Sequence, residues 1–495
     1  MSKLDGKSSA CSTTSVEPPK PFFLQALDAL KGGDRRNAAA LLARELDQGN
    51  TSPKNLGSVA QLAAHIGEVD LAIGALQRAA SPGSLDSLLL YWSTLATFGR
   101  GADALAEVKQ QPARVRDHPS VLHFRGTVAN QFGKFDEAQD LFRRTLRQEP
   151  RAVQTWFALS MIKTFGASDP DLAAMEQLER LPGIPPEARA ALHYAIAKAR
   201  EDCGDLDRAF ELYTKGAAVR RMAPFDLAAY RRAAKDVVRD FTPDNLKRLI
   251  PSEAKGQRAA FVTGLPRSGT TLTEQLLVGH SAVEDGAELN VFAAALIPTL
   301  GGNFQQALAF QQRAKHVDPW GEIGRDYAYL VDVHFRSSRL VVDKSLGQSL
   351  LIGLLLHSMP DARIAWLRRS PDDVALSCFR TFFTTGLNWT WSLTDIADYM
   401  RIEDELFEHW TTLFPERILV VPYEDLVSSP ERWSQQLQKH FGLPIEAGAA
   451  SVPNQGRAIR TASVTQVTRP ISKARVGSAA AFHQHLKPFR ERYYP

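Results

Sequence analysis

A glycine followed five residues later by an alanine recurs along the first half of the chain: Gly33 with Ala38, Gly67 with Ala72, Gly99 with Ala104, Gly133 with Ala138, and Gly204 with Ala209. Most steps between these glycines are 32 or 34 residues, and the interval from 133 to 204 is about two steps, with Gly166 near its middle. A repeat of this length holds one helix, a tight turn and a second helix. Glycine gives the backbone freedom that ends the first helix, and a small alanine lets the second approach it closely. Aromatics such as Phe142, Trp156 and Tyr213 fill the space between layers. No unit of this size buries its apolar face alone, so the units stack into a solenoid. The pattern predicts an all-α region over about 21–225.

The pattern resembles degenerate tetratricopeptide repeats. That resemblance implies a concave groove for a protein or peptide partner; a purely architectural solenoid, or a helical bundle with glycine-ended turns, fits the same residues. A chain of 495 residues exceeds one ordinary core, so more than one domain is expected. Residues 1–20 are polar and contain prolines, which predicts a disordered tail. They hold no apolar stretch of the signal-peptide kind, and the longest aliphatic run, Leu350 to Leu356, is far too short to cross a bilayer. A cytoplasmic protein without a membrane span is expected. The formal net charge is +4 with no dense basic stripe, which argues against nucleic acid as a partner. Cys11, Cys203 and Cys378 lie far apart, a pattern of reduced thiols rather than a disulfide frame or a zinc site.

After Arg239 the pattern changes. FTPDNLKRLIP is a proline-bounded connector, and short β-branched runs follow at 259–264, 339–344, 363–369 and 417–425, with helical stretches between them. Strands alternating with helices predict a mostly parallel, doubly wound sheet. The expected organisation is therefore a tail over 1–20, a helical-repeat region with its connector over 21–245, and an α/β domain over 258–495. In such sheets ligands bind beyond the carboxyl ends of the strands. Arg267, Lys344, Arg369 and the Tyr423–Asp425 group fall at those ends.

The stretch FVTGLPRSGTTLTEQLL at 261–277 is the most informative. An apolar strand enters a loop holding Pro266, Arg267, Ser268, Gly269, Thr270 and Thr271, and an amphipathic helix leaves it. Glycines 264 and 269 let amides curl around a phosphate, and the helix start adds the positive end of its dipole. The nucleotide-triphosphatase loop GxxxxGK[ST] shares both glycines but carries a lysine where this chain has Thr270. The cation stands inside the loop instead, at Arg267. That suits a single 5′-phosphosulfate better than a triphosphate.

PRSGTT at a helix start resembles the 5′-phosphosulfate loop of sulfotransferases. With arginine rather than lysine it is similar to the protein-tyrosine sulfotransferases and to bacterial tetratricopeptide-repeat sulfotransferases, over about 258–490. The resemblance implies a P-loop sulfotransferase fold, PAPS (3′-phosphoadenosine-5′-phosphosulfate) as sulfate donor, and no metal. It implies that Arg369 and, eight residues on, Ser377 bind the 3′-phosphate. A surface ion pair of Arg368 or Arg369 with Asp372 or Asp373 is the competing account. Where the family often has a further arginine this chain has Thr381, with Arg380 beside it. In VVPYEDL, Tyr423 matches a tyrosine near the adenine, or is an interior tyrosine with a satisfied hydroxyl. Ser463 and Gln466–Pro470 match a late nucleotide-covering loop, whose usual basic–Trp pair is replaced by Ser478 and Ala479. Lys473 or Arg475 is positioned to substitute.

Sulfuryl transfer to a hydroxyl needs a base, cations for the charge on sulfate and leaving phosphate, and alignment. The resemblance implies Glu288 as base, 21 residues after Arg267. The glutamate usual beside it is Ala287 here, and Glu284, Asp285 and His280 compete. Lys344 matches the family's lysine and, with Arg267, is expected to stabilise the transition state, unless it only pairs with Asp343. The expected acceptor bears a hydroxyl, with protein or peptide tyrosine docked on the helical arm as the favoured class. The alternative is a partner-binding scaffold whose nucleotide-binding domain has lost turnover.

Overall fold

In a computed structural model, which describes residues 21–48, 52–80, 84–222, 224–255, 258–335, 337–384, 386–451 and 471–495, the N-terminal half is helical. The expected tail, Cys11, Ser463 and the 466–470 stretch lie outside the described residues. Helices run in hairpins: Phe22–Lys31 with Arg35–Asp47, Pro53–His65 with Val69–Ala80, Leu85–Thr97 with Gly101–Gln110, Pro119–Gln131 with Phe135–Gln148, and Pro186–Asp202 with Leu206–Arg220. At each of these five turns the spaced glycine has φ between 70° and 83°, a conformation glycine adopts without a Cβ clash. The alanine five residues on is at most 1% exposed in all five hairpins. Gly166 is different. Its φ is not positive, and the turn between Val153–Ile162 and Pro170–Arg180 is held by Lys163 pairing with Asp169 (2.7 Å) and Asp171 (2.6 Å).

Among the described residues the second half holds five strands: β1 Ala259–Gly264, β2 Val283–Asp285, β3 Leu340–Asp343, β4 Ile364–Arg368 and β5 Ile418–Pro422. They form one sheet in the order β2-β3-β1-β4-β5, and every pairing is parallel. All strand carboxyl ends therefore open on one side. The chain winds to one flank of β1 with β2 and β3 and to the other with β4 and β5, so the switch point lies between β1 and β4. The strands alternate between two cores. Ala259, Phe261, Val341, Ile364 and Trp366 pack with Phe292, Tyr327, Leu355 and Trp410. Ala260, Val262, Val342, Ala365 and Leu367 pack with Leu276, Leu277, Leu426 and Trp433. Burial on both faces is why these strands read as continuous apolar runs.

The helical half meets the sheet half at both its ends, and Ala234 and Val237 of the helix Leu227–Asp240 join the first of the two sheet cores. One apolar core runs from Phe142, Leu192 and Phe210 into Val374, Phe379 and Trp391. There Tyr194 donates to the Phe379 carbonyl (2.9 Å) and Arg380 pairs with Glu201 (2.7 Å). At the other end Arg36 pairs with Asp326 (2.7 Å), beside the buried Arg35–Glu68 pair (2.8 Å). Among the described residues no helix is long and apolar enough to cross a membrane.

Candidate active site

The loop after β1 is held open by backbone conformation. Arg267 has φ 68° and Gly269 φ 109°. Ser268 Oγ donates to the Leu265 carbonyl (2.7 Å), so this serine braces the loop from inside. The helix Thr270–Val278 follows directly, with Thr270 and Thr271 buried at its first turn. Amides of a first turn have no partner within their helix, so this end presents donors and a positive dipole to the loop. A positive φ at a non-glycine residue is strain of the kind kept at ligand sites. At Gly269 a Cβ would come within 2.5 Å of Tyr423 Cδ2. Gly269→Ala is therefore expected to strain the backbone by about 1–2 kcal/mol and to displace Tyr423, as a lowered melting temperature will read.

Around this loop guanidinium groups converge. Arg267 Nε donates to Ser377 Oγ (3.1 Å). Arg369, just after β4, donates from Nη1 to the Arg267 carbonyl (3.1 Å) and from Nη2 to the Arg475 carbonyl (2.5 Å). Its Cζ lies 4.5 Å over the Tyr423 ring. The expected competing ion pair exists as well: Arg369 is 3.3 Å from Asp373. Asp373 meanwhile accepts from the amides of Gly477 and Ala479 and from Ser478 Oγ, tying the C-terminal segment to the site. The Arg369 Nε is buried without a hydrogen-bond partner, an orphan donor of the kind a bound anion satisfies. Arg368 turns away to Asp404 (2.5 Å). Burial, together with Arg380, Arg369 and Arg475, pushes the Arg267 guanidinium down to about 10. Burial and Arg380 lower Arg475 too, against the pull of Glu201. A cluster of like charges of this kind, only partly offset by Asp373 and Glu201, favours an anion beside it. Cys378 donates to the Pro266 carbonyl (3.4 Å), and burial raises its thiol to about 12, so it is no nucleophile.

A second group forms beside the loop at the end of β3. Lys344 is fully buried, with Nζ 3.1 Å from Glu288 Oε1 and 3.9 Å from Glu274 Oε2. Burial alone would lower its pKa, but Glu274, Glu288 and Asp285 outweigh that and raise it. Lys344 thus stays an ammonium at neutral pH. Its partners are Glu288 and Glu274, not Asp343, which instead accepts from Tyr327 (2.8 Å) and Ser345. Glu288 sits between two strained residues, Ala287 (φ 49°) and Asn290 (φ 54°). The Lys344 amide donates to the Ala287 carbonyl (2.9 Å) and the Asn290 amide to Ser345 Oγ (2.7 Å), fixing the glutamate loop to β3.

The competing bases are occupied elsewhere. His280 lies at a helix end, 4% exposed, with Nδ1 accepting from the Ala282 amide (3.0 Å) and Nε2 donating to the Pro444 carbonyl (3.0 Å). Glu284 engages Ser337 and Arg339. Asp285 accepts from the Ala287 amide (2.8 Å). Three participants escape a sequence reading: Glu274, Ser345 and Glu201. Tertiary packing brings Glu274 and Glu201 here, while Ser345 directly follows Lys344 in the chain; Glu274 signals itself as an acid on the inward face of an otherwise buried helix.

Residues 259–447 match the sulfotransferase family. An uncharacterised protein of Aquifex aeolicus (strain VF5) is 28% identical over 409 residues, covering 79% of this chain and 52% of that protein. The chain thus spans about half the length of that relative. Among solved structures, the sulfotransferase domain of the Synechococcus PCC 7002 olefin synthase is 21% identical, with a TM-score of 0.34, over 47% of this chain and 90% of that one. A sulfotransferase of Mycobacterium tuberculosis H37Rv is 16% identical, with a TM-score of 0.28, over 67% of this chain and 99% of that one. The strand–loop–helix at 259–278, Arg369, Arg380 and the Lys344–Glu288 pair fall within the matched span, with Arg475 beyond it, and residues 259–447 form a sulfotransferase-family domain.

Proposed function

We propose that the chain is a PAPS-dependent sulfotransferase that moves a sulfuryl group to an acceptor hydroxyl. The observation that carries this reading is the convergence of Arg267, Arg369, Arg380 and Arg475 on a phosphate loop that lacks the triphosphatase lysine. Pro266, Arg267, Ser268, Gly269, Thr270 and Thr271 surround the 5′-phosphosulfate. Arg369 and Ser377 take the 3′-phosphate, with Tyr423 beside the adenine. Glu288 is the base. It accepts the proton of the acceptor hydroxyl as that oxygen bonds to sulfur, and the bond from sulfur to the 5′-phosphate oxygen breaks. The products are the sulfate ester, adenosine 3′,5′-bisphosphate and a proton carried by Glu288, whose side chain is 43% exposed and can release it to water. Lys344 and Arg267 stabilise the charge growing on the leaving phosphate.

The acceptor class we favour is a protein or peptide tyrosine docked by the helical half, read as a tetratricopeptide-like arm. An open groove of about 830 Å³ there, lined by Leu89, His123, Phe124, Thr155 and Ile184, supports this. The test is transfer of ³⁵S label from PAPS, against ³²P from ATP, to tyrosine peptides, sugars and small phenols. Transfer of ³⁵S alone is expected. Bisphosphate binding with no acceptor ever labelled would favour a scaffold instead, and ³²P transfer would overturn the reading.

Arg369→Ala is expected to weaken binding of adenosine 3′,5′-bisphosphate by about 10–100-fold, the worth of a charge-assisted hydrogen bond. Adenosine 5′-phosphosulfate should lose less than about threefold. Asp373 keeps its three bonds from 477–479 in this variant, so the segment stays in place. Calorimetry with both ligands checks this, and equal losses would contradict the 3′-phosphate role.

A further inference from the structure

Four consecutive residues close the helix Pro371–Phe379: Ser377, Cys378, Phe379 and the capping Arg380. The first two face the donor loop. Ser377 Oγ accepts from Arg267 Nε (3.1 Å), and Cys378 donates to the Pro266 carbonyl (3.4 Å). The next two face the helical half. Tyr194 donates to the Phe379 carbonyl (2.9 Å), the Phe379 ring stacks on Phe210 with centroids 5.3 Å apart, and Arg380 pairs with Glu201 (2.7 Å). Carbonyls in the last turn of a helix lack partners within it, and such turns fray unless something outside holds them. The Tyr194 hydroxyl supplies that hold at Phe379, two residues from the serine that faces Arg267.

Tyr194 is itself fixed. It is 1% exposed, and its ring lies against Tyr213 (5.2 Å), Phe382 (5.2 Å) and Trp391 (5.9 Å). Gly216 makes room for it, since a Cβ there would come within 2.7 Å of Tyr194 Cδ2. Glu201 is held too, its second oxygen accepting from Tyr213 (3.0 Å). Tyr194 and Glu201 stand about two turns apart on one helix, Pro186–Asp202, whose first turn lines the groove of the helical half at Ala188. One rigid element thus borders both the groove and the donor loop's support. We propose that Tyr194 is a positioning residue for the sulfate donor: by capping the Phe379 carbonyl it keeps Ser377 aimed at Arg267 and the 3′-phosphate, which makes the helical half part of the donor site. The proposal rests on the sulfotransferase reading above and adds a residue to it.

The test uses the full chain with Tyr194→Phe, Ser377→Ala and both together, titrated by calorimetry with adenosine 3′,5′-bisphosphate and adenosine 5′-monophosphate. Phenylalanine keeps the ring in its cluster and removes only the hydroxyl. Tyr194→Phe is expected to weaken the bisphosphate by about 3–10-fold, the worth of one neutral hydrogen bond, and the monophosphate by less than about twofold. Because the hydroxyl acts through the turn that holds Ser377, adding Tyr194→Phe to Ser377→Ala should cost less than about twofold more. An unchanged bisphosphate affinity, equal losses for the two nucleotides, or losses that add in the double variant would each overturn the proposal. Coupling of this kind is reciprocal, so the parent supplies a second measurement, which decides if the variants fail to fold. Bisphosphate binding is expected to slow amide hydrogen exchange at 192–204 more than at 22–80. Protection no greater there than at 22–80 would also overturn the proposal. A parent protein that binds no bisphosphate would sink the sulfotransferase reading as well; one that binds it while Tyr194→Phe behaves like the parent would sink this proposal alone.

Discussion

Glutamine at position 288 is expected to lower turnover by about 10²–10⁴-fold, the usual worth of a general base, while adenosine 3′,5′-bisphosphate binds as before. The reason is the division of the site. Glu288 touches Lys344 (3.1 Å) but none of the arginines around the donor loop. It stands on its own short loop, braced by the Lys344 amide and by Ser345. Glutamine keeps the side chain's shape and its hydrogen bond from Lys344 but cannot take a proton. Single-turnover transfer from labelled PAPS, beside calorimetric binding, separates the two effects. Normal turnover in Glu288→Gln would refute the base, and Glu284 or Asp285 would have to be reconsidered despite their engagement elsewhere.

Lys344→Met is expected to cost about 10²–10³-fold in turnover, as for removal of one preorganised donor to a developing anion. It is also expected to destabilise the fold. Lys344 is the cation that Glu274, Asp285 and Glu288 gather around, and removing one partner of a buried pair typically costs about 3–5 kcal/mol. Part of that loss is relieved when a carboxyl takes up a proton. The variant should therefore recover stability as pH falls toward the carboxylate range, which melting curves at several pH values will show. Arginine should not rescue turnover, because the lysine slot is fully closed to solvent and shaped for an ammonium. A variant with full stability and full turnover would leave Lys344 without the assigned role.

Much of the sheet was legible because buried parallel strands write themselves as apolar, β-branched runs. The strings at 259–264, 339–344, 363–369 and 417–425 each contain one strand. The missing strand is β2. Val283–Asp285 is three residues long with two acids, and it exists only because β3 offers a free edge beside it. The spaced glycines of the helical half stand at left-handed turns, since that backbone conformation has a residue signature. At Gly166 the same spacing misleads, because two aspartates around Lys163 do the work of a glycine turn. In the site, the loop with Arg267 follows from local spacing, while the roles of Arg369, Arg380 and Arg475 come from the resemblance. Glu201 and Glu274 do not, because a buried acid's partners depend on chain segments far away in sequence.

The central claim is that one nucleotide is gripped at both its phosphates, by the loop after β1 and by Arg369, the residue just after β4. The measurement that tests it most directly is calorimetric titration of the protein with adenosine 3′,5′-bisphosphate, adenosine 5′-monophosphate and ATP. The account predicts that the bisphosphate binds at least about tenfold more tightly than either of the others, one charge-assisted contact's worth, and that this margin vanishes in Arg369→Ala. ATP binding as tightly as the bisphosphate, or a margin that survives the loss of Arg369, would contradict it.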